Sequence, residues 1–428
     1  MIIVFYAPVP LFIAMELLAR SVGNRFFRVC AFDVIMDILL LHNYYLHRGG
    51  EEQVFEAERR LLEEHGHRVS VYTLNNTALK ELGSVRQAAF SLWNPAAYRA
   101  VRALAPAGGV VHVHNPFPLL SPAVYYAARH AGAAVVQTLH NYRLLCPNAL
   151  FTRGGRVCTD CLGRAVAWPG MVHGCYRGSR AASAVVVLML ALHRALGTYR
   201  RQVNRYIVLT PFARSLFVRG GLPREKITVK PNFVAGEPQP GNGEGGYMLF
   251  VGRLSPEKGI GLLLEAWKKV KGGRLVIAGD GPEAPRVEAA ARADGRITWV
   301  GRLAPAGVAE QMREALCLVL PSTCFENLPI TLMEAFSAGT PVLAPRLGTL
   351  EALVEAGRTG LAFAPHSPEA LAEAMEYALS HPQEMRQMRR AARAEYLARY
   401  TPEVSYPLLM QIYREALADA GEDSHARG

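Results

Sequence analysis

No window of this sequence offers about 18 or more uninterrupted apolar residues, which argues against a bilayer-spanning helix. The nearest approach, Ala181–Leu192, is too short. It is bounded by Arg180 and by His193-Arg194, with Arg200-Arg201 beyond. It reads either as a buried core helix or as a helix lying at a membrane interface. A secretion signal is also missing: Met1–Leu18 is apolar but interrupted by Pro8, Pro10 and Glu16, and has no basic start. Acids are scarce over one long stretch. From Gly163 to Lys226 eleven Arg or Lys accompany the single acid Glu225. That local excess, within a formal charge of +11, suits phosphates, anionic lipid or nucleic acid. Neither an RNA-binding aromatic signature nor a zinc-finger histidine pair goes with it, so nucleic acid is the weakest of the three.

What is present points to two domains or more, since 428 residues exceed what one core usually serves. Residues 1–35 look foreign to the rest. A clean first strand starts at Met36, and Met36 is expected to be the true start, with 1–35 an over-called extension. The glycine pair Gly49-Gly50 and a helix to about Glu64 follow. Strand-like runs at Arg68–Leu74, Val110–His114, Ala133–Leu139 and Tyr206–Leu209 alternate with helical stretches. The Pro/Gly-rich run Pro231–Gly246 reads as a linker. Alternation then restarts, with strands at Tyr247–Val251, Arg274–Ala278, Ile297–Val300, Cys317–Leu320, Pro341–Ala344 and Gly360–Ala364. The helices between them are Glu257–Val270, Pro282–Ala293, Pro305–Glu314, Pro329–Ala338 and Pro368–Leu379. Thr401–Ala418 reads as a terminal amphipathic helix and Gly421–Gly428 as a disordered end. Alternation of this kind predicts parallel, doubly wound sheets, whose ligands lie beyond the strands' C-terminal ends.

The stretch Phe325–Ala335 carries two carboxylates eight positions apart, Glu326 on a loop and Glu334 on the helix that follows. Pro329 fits the first turn of that helix, and the free N–H groups there form an anion site. On the same edge fall the loops Gly252–Gly259, Gly279–Pro282 and Gly301–Leu303. They bring Gly252, Arg253, Lys258, Gly281, Arg302 and Leu303 to one crevice. Arg offers bidentate and Lys point-charge contact to phosphate. In the first half, His112, His114 and His140 fall at or just past strand ends, as packed residues or as ligands. Cys146, Cys158, Cys161 and Cys175 are spaced C-x11-C-x2-C-x13-C. That quartet fits structural zinc or an iron–sulfur cluster; disulfides or unligated thiols are the alternatives.

The runs GRLSPEKG (252–259), AGDGP (278–282), VGRL (300–303) and FENLPITLMEAFSAGTPVLA (325–344) resemble the donor half of the family-4 retaining glycosyltransferases of GT-B fold. HRGGEE, HVHN, TLHNYR and VKPNF resemble that family's acceptor half. The Cys-rich segment and its basic helix resemble a bacterial subgroup that builds surface polysaccharides. The resemblance implies two Rossmann-like domains facing a cleft. These are a 36–232 acceptor domain with a Cys-rich insertion at 142–180, and a 245–400 nucleotide-sugar domain. A 401–420 helix would cross back to the first. It implies that Arg253 and Lys258 hold a donor diphosphate, Glu334 the ribose hydroxyls and Glu326 the sugar. The N–H groups of Asn327 and Leu328 would meet sugar or phosphate, Gly49-Gly50 would pass close to the phosphate, and Arg302-Leu303 would flank the base. His114 matches the family's cleft histidine, with His140 beside it among the substrate-binding residues.

No D-x-D cluster is placed to hold a divalent ion, so transfer is expected without a metal or other cofactor, by same-face attack that retains the anomeric configuration. The expected partners are a nucleoside-diphosphate sugar and a glycan or lipid-linked acceptor, for a cytoplasmic protein at the inner membrane surface. The rivals are a non-catalytic nucleotide-sugar or metal sensor and a GT-B epimerase or phosphorylase. The sequence shows no acid/base pair or cofactor lysine that would mark the latter two.

Overall fold

A computed structural model describes residues 34–425 apart from 47, 48 and 237. Most of the segment read as foreign, and His47-Arg48 of the first glycine loop, lie outside them. In the first half β1 (Asp37–Tyr44), β2 (Arg68–Asn75), β3 (Val110–Asn115), β4 (Ala134–Thr138), β7 (Arg205–Val208) and β8 (Ile227–Val229) form one parallel sheet, ordered β2-β1-β3-β4-β7-β8. The two-residue strands β5 (Thr152–Arg153) and β6 (Arg156–Val157) make a separate hairpin. In the second half β9 (Tyr247–Val251), β10 (Arg274–Ala278), β11 (Ile297–Gly301), β12 (Cys317–Val319), β13 (Val342–Pro345) and β14 (Gly360–Phe363) form a second parallel sheet, ordered β11-β10-β9-β12-β13-β14.

Central parallel strands are covered on both faces, so they read as unbroken apolar runs rather than alternations. Leu39, Leu40 and Leu41 of β1 are all fully buried, as are Met248 and Leu249 of β9. Side chains that point to opposite faces of the first sheet feed separate cores. Leu39 and Val111 pack with Val135 and Tyr206, while Ile38 and Leu40 pack with Tyr406, Leu409 and Tyr413. The latter three lie on the last helix, Pro402–His425, which thus closes one face of the first sheet.

Three local expectations need correction. The predicted helix Glu257–Val270 is broken: a 3-10 turn, Pro256–Lys258, is followed by Gly259 at φ +75° and then the helix Ile260–Trp267. Pro329 stands just outside its helix with extended ψ of 127°, and the helix runs Ile330–Ser337. The stretch expected to be disordered from Gly421 is helical to His425. The helix Pro382–Arg399, with mostly polar and Arg-rich surface, gave no clear sequence signal; Met385, Met388, Ala392 and Tyr396 bury its inner side.

Candidate active site

Because β11, β10, β9 and β12 are neighbours, the loops leaving their C-terminal ends share one edge. Glycine lets those loops touch backbone to backbone. A Cβ on Gly259 would lie 1.8 Å from the Pro321 carbonyl oxygen, and one on Gly279, at φ +146°, 1.9 Å from that of Gly252. Only glycine combines a positive φ with such an approach. The Leu254 amide donates to Asp280 O at 2.9 Å, and the Thr323 amide to Glu257 O at 2.9 Å. Gly252, Arg253, Lys258, Gly281, Arg302, Leu303 and Glu326 therefore belong to one rim.

Along it, Arg253 and Arg302 are exposed and form no ion pair among the described residues, while Leu303 is half-buried. Lys258 Nζ donates to both carboxylate oxygens of Glu326, at 2.7 and 3.0 Å, and Ser322 Oγ donates to Glu326 Oε1 at 2.6 Å. Burial works to lower the Lys258 pKa, but the facing Glu326 carboxylate outweighs it and holds the ammonium above its ordinary value. The sequence reading sent Lys258 to a diphosphate and Glu326 to a sugar. The structure pairs them, so an anion arriving at Lys258 meets a cation already oriented and partly neutralised.

The helix Ile330–Ser337 then begins with no side-chain cap, and its Leu332 amide turns back to Pro329 O at 3.2 Å, which leaves the Ile330 and Thr331 amides without a partner among the described residues. Leu328 is buried, and Asn327 Nδ2 donates to the Leu139 carbonyl, just past β4, at 2.7 Å. Thus Asn327 spans from the second half to the first through its side chain, where the sequence reading had used only its amide. Glu334, half-buried, takes no side-chain partner among the described residues, and burial pushes its pKa up to about 7.

The first half faces this edge. Gly49 caps the helix Gly50–Glu64 in extended conformation with nothing within 4 Å of its Cβ position. A Cβ on Gly50 would lie 2.6 Å from Ile330 Cδ1. The amino ends of two helices hence approach one another. Beside them a cavity of about 40 Å³ is lined by His114, His140, Asn141 and Arg143, with Phe117 and Tyr125. His114 Nδ1 lies 3.0 Å from His140 Nε2, and burial keeps the His140 imidazole well below its usual pKa. On the same side Glu51 is held by Tyr45 OH at 3.3 Å, and burial pushes its carboxyl up to about 8.

Comparison with known proteins agrees with this arrangement. A family model described as Glycosyltransferase Family 4 matches residues 48–235, and one described as Glycosyl transferases group 1 matches 237–395. The chain belongs to the family-4 glycosyltransferases of GT-B fold.

Among curated members, the chain is 31% identical over 175 residues to alpha-D-kanosaminyltransferase of Streptomyces kanamyceticus, covering 39% of this chain and 45% of that one. It is 33% identical over 179 residues to phosphatidyl-myo-inositol mannosyltransferase of Mycobacterium leprae, covering 41% and 47%. The matched region thus spans about half the length of these relatives. Anabaena HepE, solved with UDP and glucose, superposes with a TM-score of 0.61 at 17% identity, over 88% of this chain and 99% of that one; this likeness is one of fold.

The sequence reading of this glycosyltransferase missed a buried polar cluster behind His114. Lys230 Nζ donates to Glu58 Oε2 at 3.0 Å, both side chains 2% exposed. Glu58 Oε1 lies 3.1 Å from His112 Nδ1 and 3.5 Å from His114 Nε2. Burial tends to raise the Glu58 pKa, but Lys230 and His112 outweigh it and hold the carboxylate well below its usual range. The helix Gly50–Glu64 carried the signal: Glu58 falls on the stripe of Val54, Phe55, Leu61 and Leu62, a charge on an apolar face. Although Glu58, His112 and His114 have donor atoms within 4.8 Å of one another, they make a poor metal site. Lys230 already supplies the cation, and His112 is engaged at Nδ1 by Tyr413 OH and at Nε2 by Thr138 Oγ1, both at 2.8 Å.

Proposed function

We propose that this protein transfers a sugar from a nucleoside-diphosphate sugar to a glycan or lipid-linked acceptor, with retention and without a divalent ion. The observation that carries this reading is the shared rim of Arg253, Lys258 and Glu326, opposite the approach of Gly50 to Ile330. As the sugar–phosphate bond breaks, negative charge builds on the departing diphosphate. Oriented cations and free helix amides stabilise that charge more than the ground state, which is the electrostatic route to a lower barrier. Glu334 takes the ribose hydroxyls and Glu326 the sugar, while Arg302 and Leu303 flank the base. The acceptor enters from the His114–His140 cavity on the side of the sugar that the phosphate leaves. The leaving phosphate oxygen then takes the acceptor proton, so no enzymic nucleophile is needed.

Product analysis by NMR tests the reading: transfer to a sugar acceptor should preserve the anomeric configuration and persist in EDTA. An inverted product, or activity abolished by EDTA and restored by magnesium, would contradict it.

Glu334 gives a pH prediction. With its pKa raised to about 7, it is uncharged in the free protein below that pH. Charge-assisted bonds to ribose hydroxyls then cost a deprotonation. Affinity for a nucleoside-diphosphate sugar, whose diphosphate does not titrate here, should rise with pH up to about 7 and level off above. Calorimetric titrations from pH 5.5 to 8.5 should show this for the wild type and a weaker, flat profile for Glu334→Gln.

The membrane-surface reading rests on the helix Arg180–Ala195. Leu188, Leu192 and Leu196 recur every fourth residue and are 54%, 39% and 53% exposed, with Arg200 and Arg201 exposed just beyond. An apolar stripe edged by arginines suits an anionic lipid surface. The wild type should co-sediment with anionic liposomes at low salt, and Leu188→Asp/Leu192→Asp should stay in the supernatant. Failure of the wild type to pellet would dismiss the surface role while leaving transfer intact.

A further inference from the structure

The segment between β4 and the helix Arg180–Ala195 is long for a connection, and it is thinly cored. Its regular structure is the β5–β6 hairpin and the five-residue helix Trp168–Val172. Tyr142, Leu144, Leu145 and Phe151 at its start join the main core, but beyond Phe151 the segment rests on a small apolar cluster of Cys161, Ala167 and Val187, while Val166, Trp168 and Val172 are exposed. Burial this slight cannot by itself offset the ordering of some thirty residues, and excursions of this size usually need a staple.

The four cysteines are placed to supply one. Cys146 ends a turn whose amide donates to Tyr142 O at 2.9 Å, and its Sγ donates to Asn148 Oδ1 at 3.0 Å. The hairpin turns at Gly154 and Gly155, both at positive φ, and returns the chain so that the Cys158 amide donates to Phe151 O at 2.7 Å. Cys161 follows within a tight turn that ends at Gly163, φ +77°. Cys175 comes back after the short helix, its amide donating to Gly170 O at 2.9 Å. All four line one cavity of about 10 Å³, and all four are free thiols. They come from three separate turns, which the C-x2-C pair alone did not require.

We infer that Cys146, Cys158, Cys161 and Cys175 form a structural zinc site that pins the hairpin and short helix to the body of the first sheet. Thiolates are the donors zinc prefers, and four of them with no open position make a structural rather than a catalytic site. The sulfurs are not drawn to mutual ligand distance as they stand: among the described residues the one donor set within 4.8 Å of one another is Glu58, His112 and His114. Zinc would close the cysteines inward, releasing their four protons. Arg153, paired with Asp160 at 2.8 Å, and His173 line the same cavity.

The site bears on the cleft through the turn it anchors. Tyr142 OH donates to Glu326 O at 3.1 Å, and the Phe151 ring meets Phe325 edge-on at 6.1 Å. The staple thus fixes the surface on which the Glu326 loop rests.

The test is elemental analysis of the full-length protein purified without added metal or chelator. The inference requires about one zinc per chain, and an X-ray absorption spectrum at the zinc edge with a shell of four sulfurs at about 2.3 Å. Cys158→Ser/Cys161→Ser should lose the zinc. The spectrum of the wild type decides even if that variant does not fold. Absence of zinc, a nitrogen- or oxygen-dominated shell, zinc retained by the double variant, or iron with acid-labile sulfide would each overturn it.

Discussion

Replacing Lys258 by alanine is expected to lower kcat by about 10²-fold or more, the scale on which one preorganised transition-state donor acts. Two effects combine. The variant removes a cation aimed at the departing diphosphate, and it leaves Glu326, whose side chain is 11% exposed, with only Ser322 Oγ as a side-chain partner among the described residues. An unpaired carboxylate on the rim repels the phosphates that Lys258 once drew in. Lys258→Ala/Glu326→Gln separates the two. If repulsion dominates, the double variant recovers both donor affinity and kcat; if lost stabilisation dominates, affinity recovers but kcat does not. Because Arg253 is exposed and has no ion-pair partner among the described residues, Arg253→Ala lacks the repulsive part and isolates the loss of a donor. Steady-state kinetics with a saturating donor, alongside Tm, provide the check. Rates within a few-fold of wild type for both single variants would remove these residues from the mechanism.

The second large effect concerns stability. Lys230→Met strands the Glu58 carboxylate in a site where both partners are almost wholly shielded from water. Breaking a buried pair by removing one partner typically costs about 3–5 kcal/mol, because the remaining charge stays unsolvated. The Tm of Lys230→Met should therefore fall well below wild type. Glu58→Gln/Lys230→Met, which removes both charges, should regain most of the loss. The pair also backs His112, so a surviving Lys230→Met protein should show altered His112 titration by NMR. Equal Tm for wild type and Lys230→Met would mean that the pair carries no such load.

Much of the fold was legible because glycine and proline punctuate it. β9 and β10 run over the spans predicted for them, and β11 and β12 end within a residue of theirs, since apolar runs stop abruptly at Gly252, Gly279, Gly301 and Pro321. The rim was legible for the same reason: its residues sit in the loops those glycines open. What escaped were facts of tertiary distance. The break at Gly259 depends on the Pro321 carbonyl, and the Lys258–Glu326 pair joins residues 68 positions apart. Glu58 and Lys230 are 172 apart, and Asn327 reaches a carbonyl 188 positions upstream. No local propensity encodes such contacts. Pro329 was misplaced by one residue because proline's fixed φ serves equally at a helix's first position and immediately before it.

The account rests on where the donor binds, and a structure of the protein with a nucleoside-diphosphate sugar tests this most directly. It should show the diphosphate within hydrogen-bond reach of Arg253 and Lys258, and the ribose on Glu334. The sugar should lie against the Glu326 loop, facing the His114–His140 cavity. A donor seated anywhere but between Gly50 and Ile330, or with its phosphates turned away from Lys258, would contradict it.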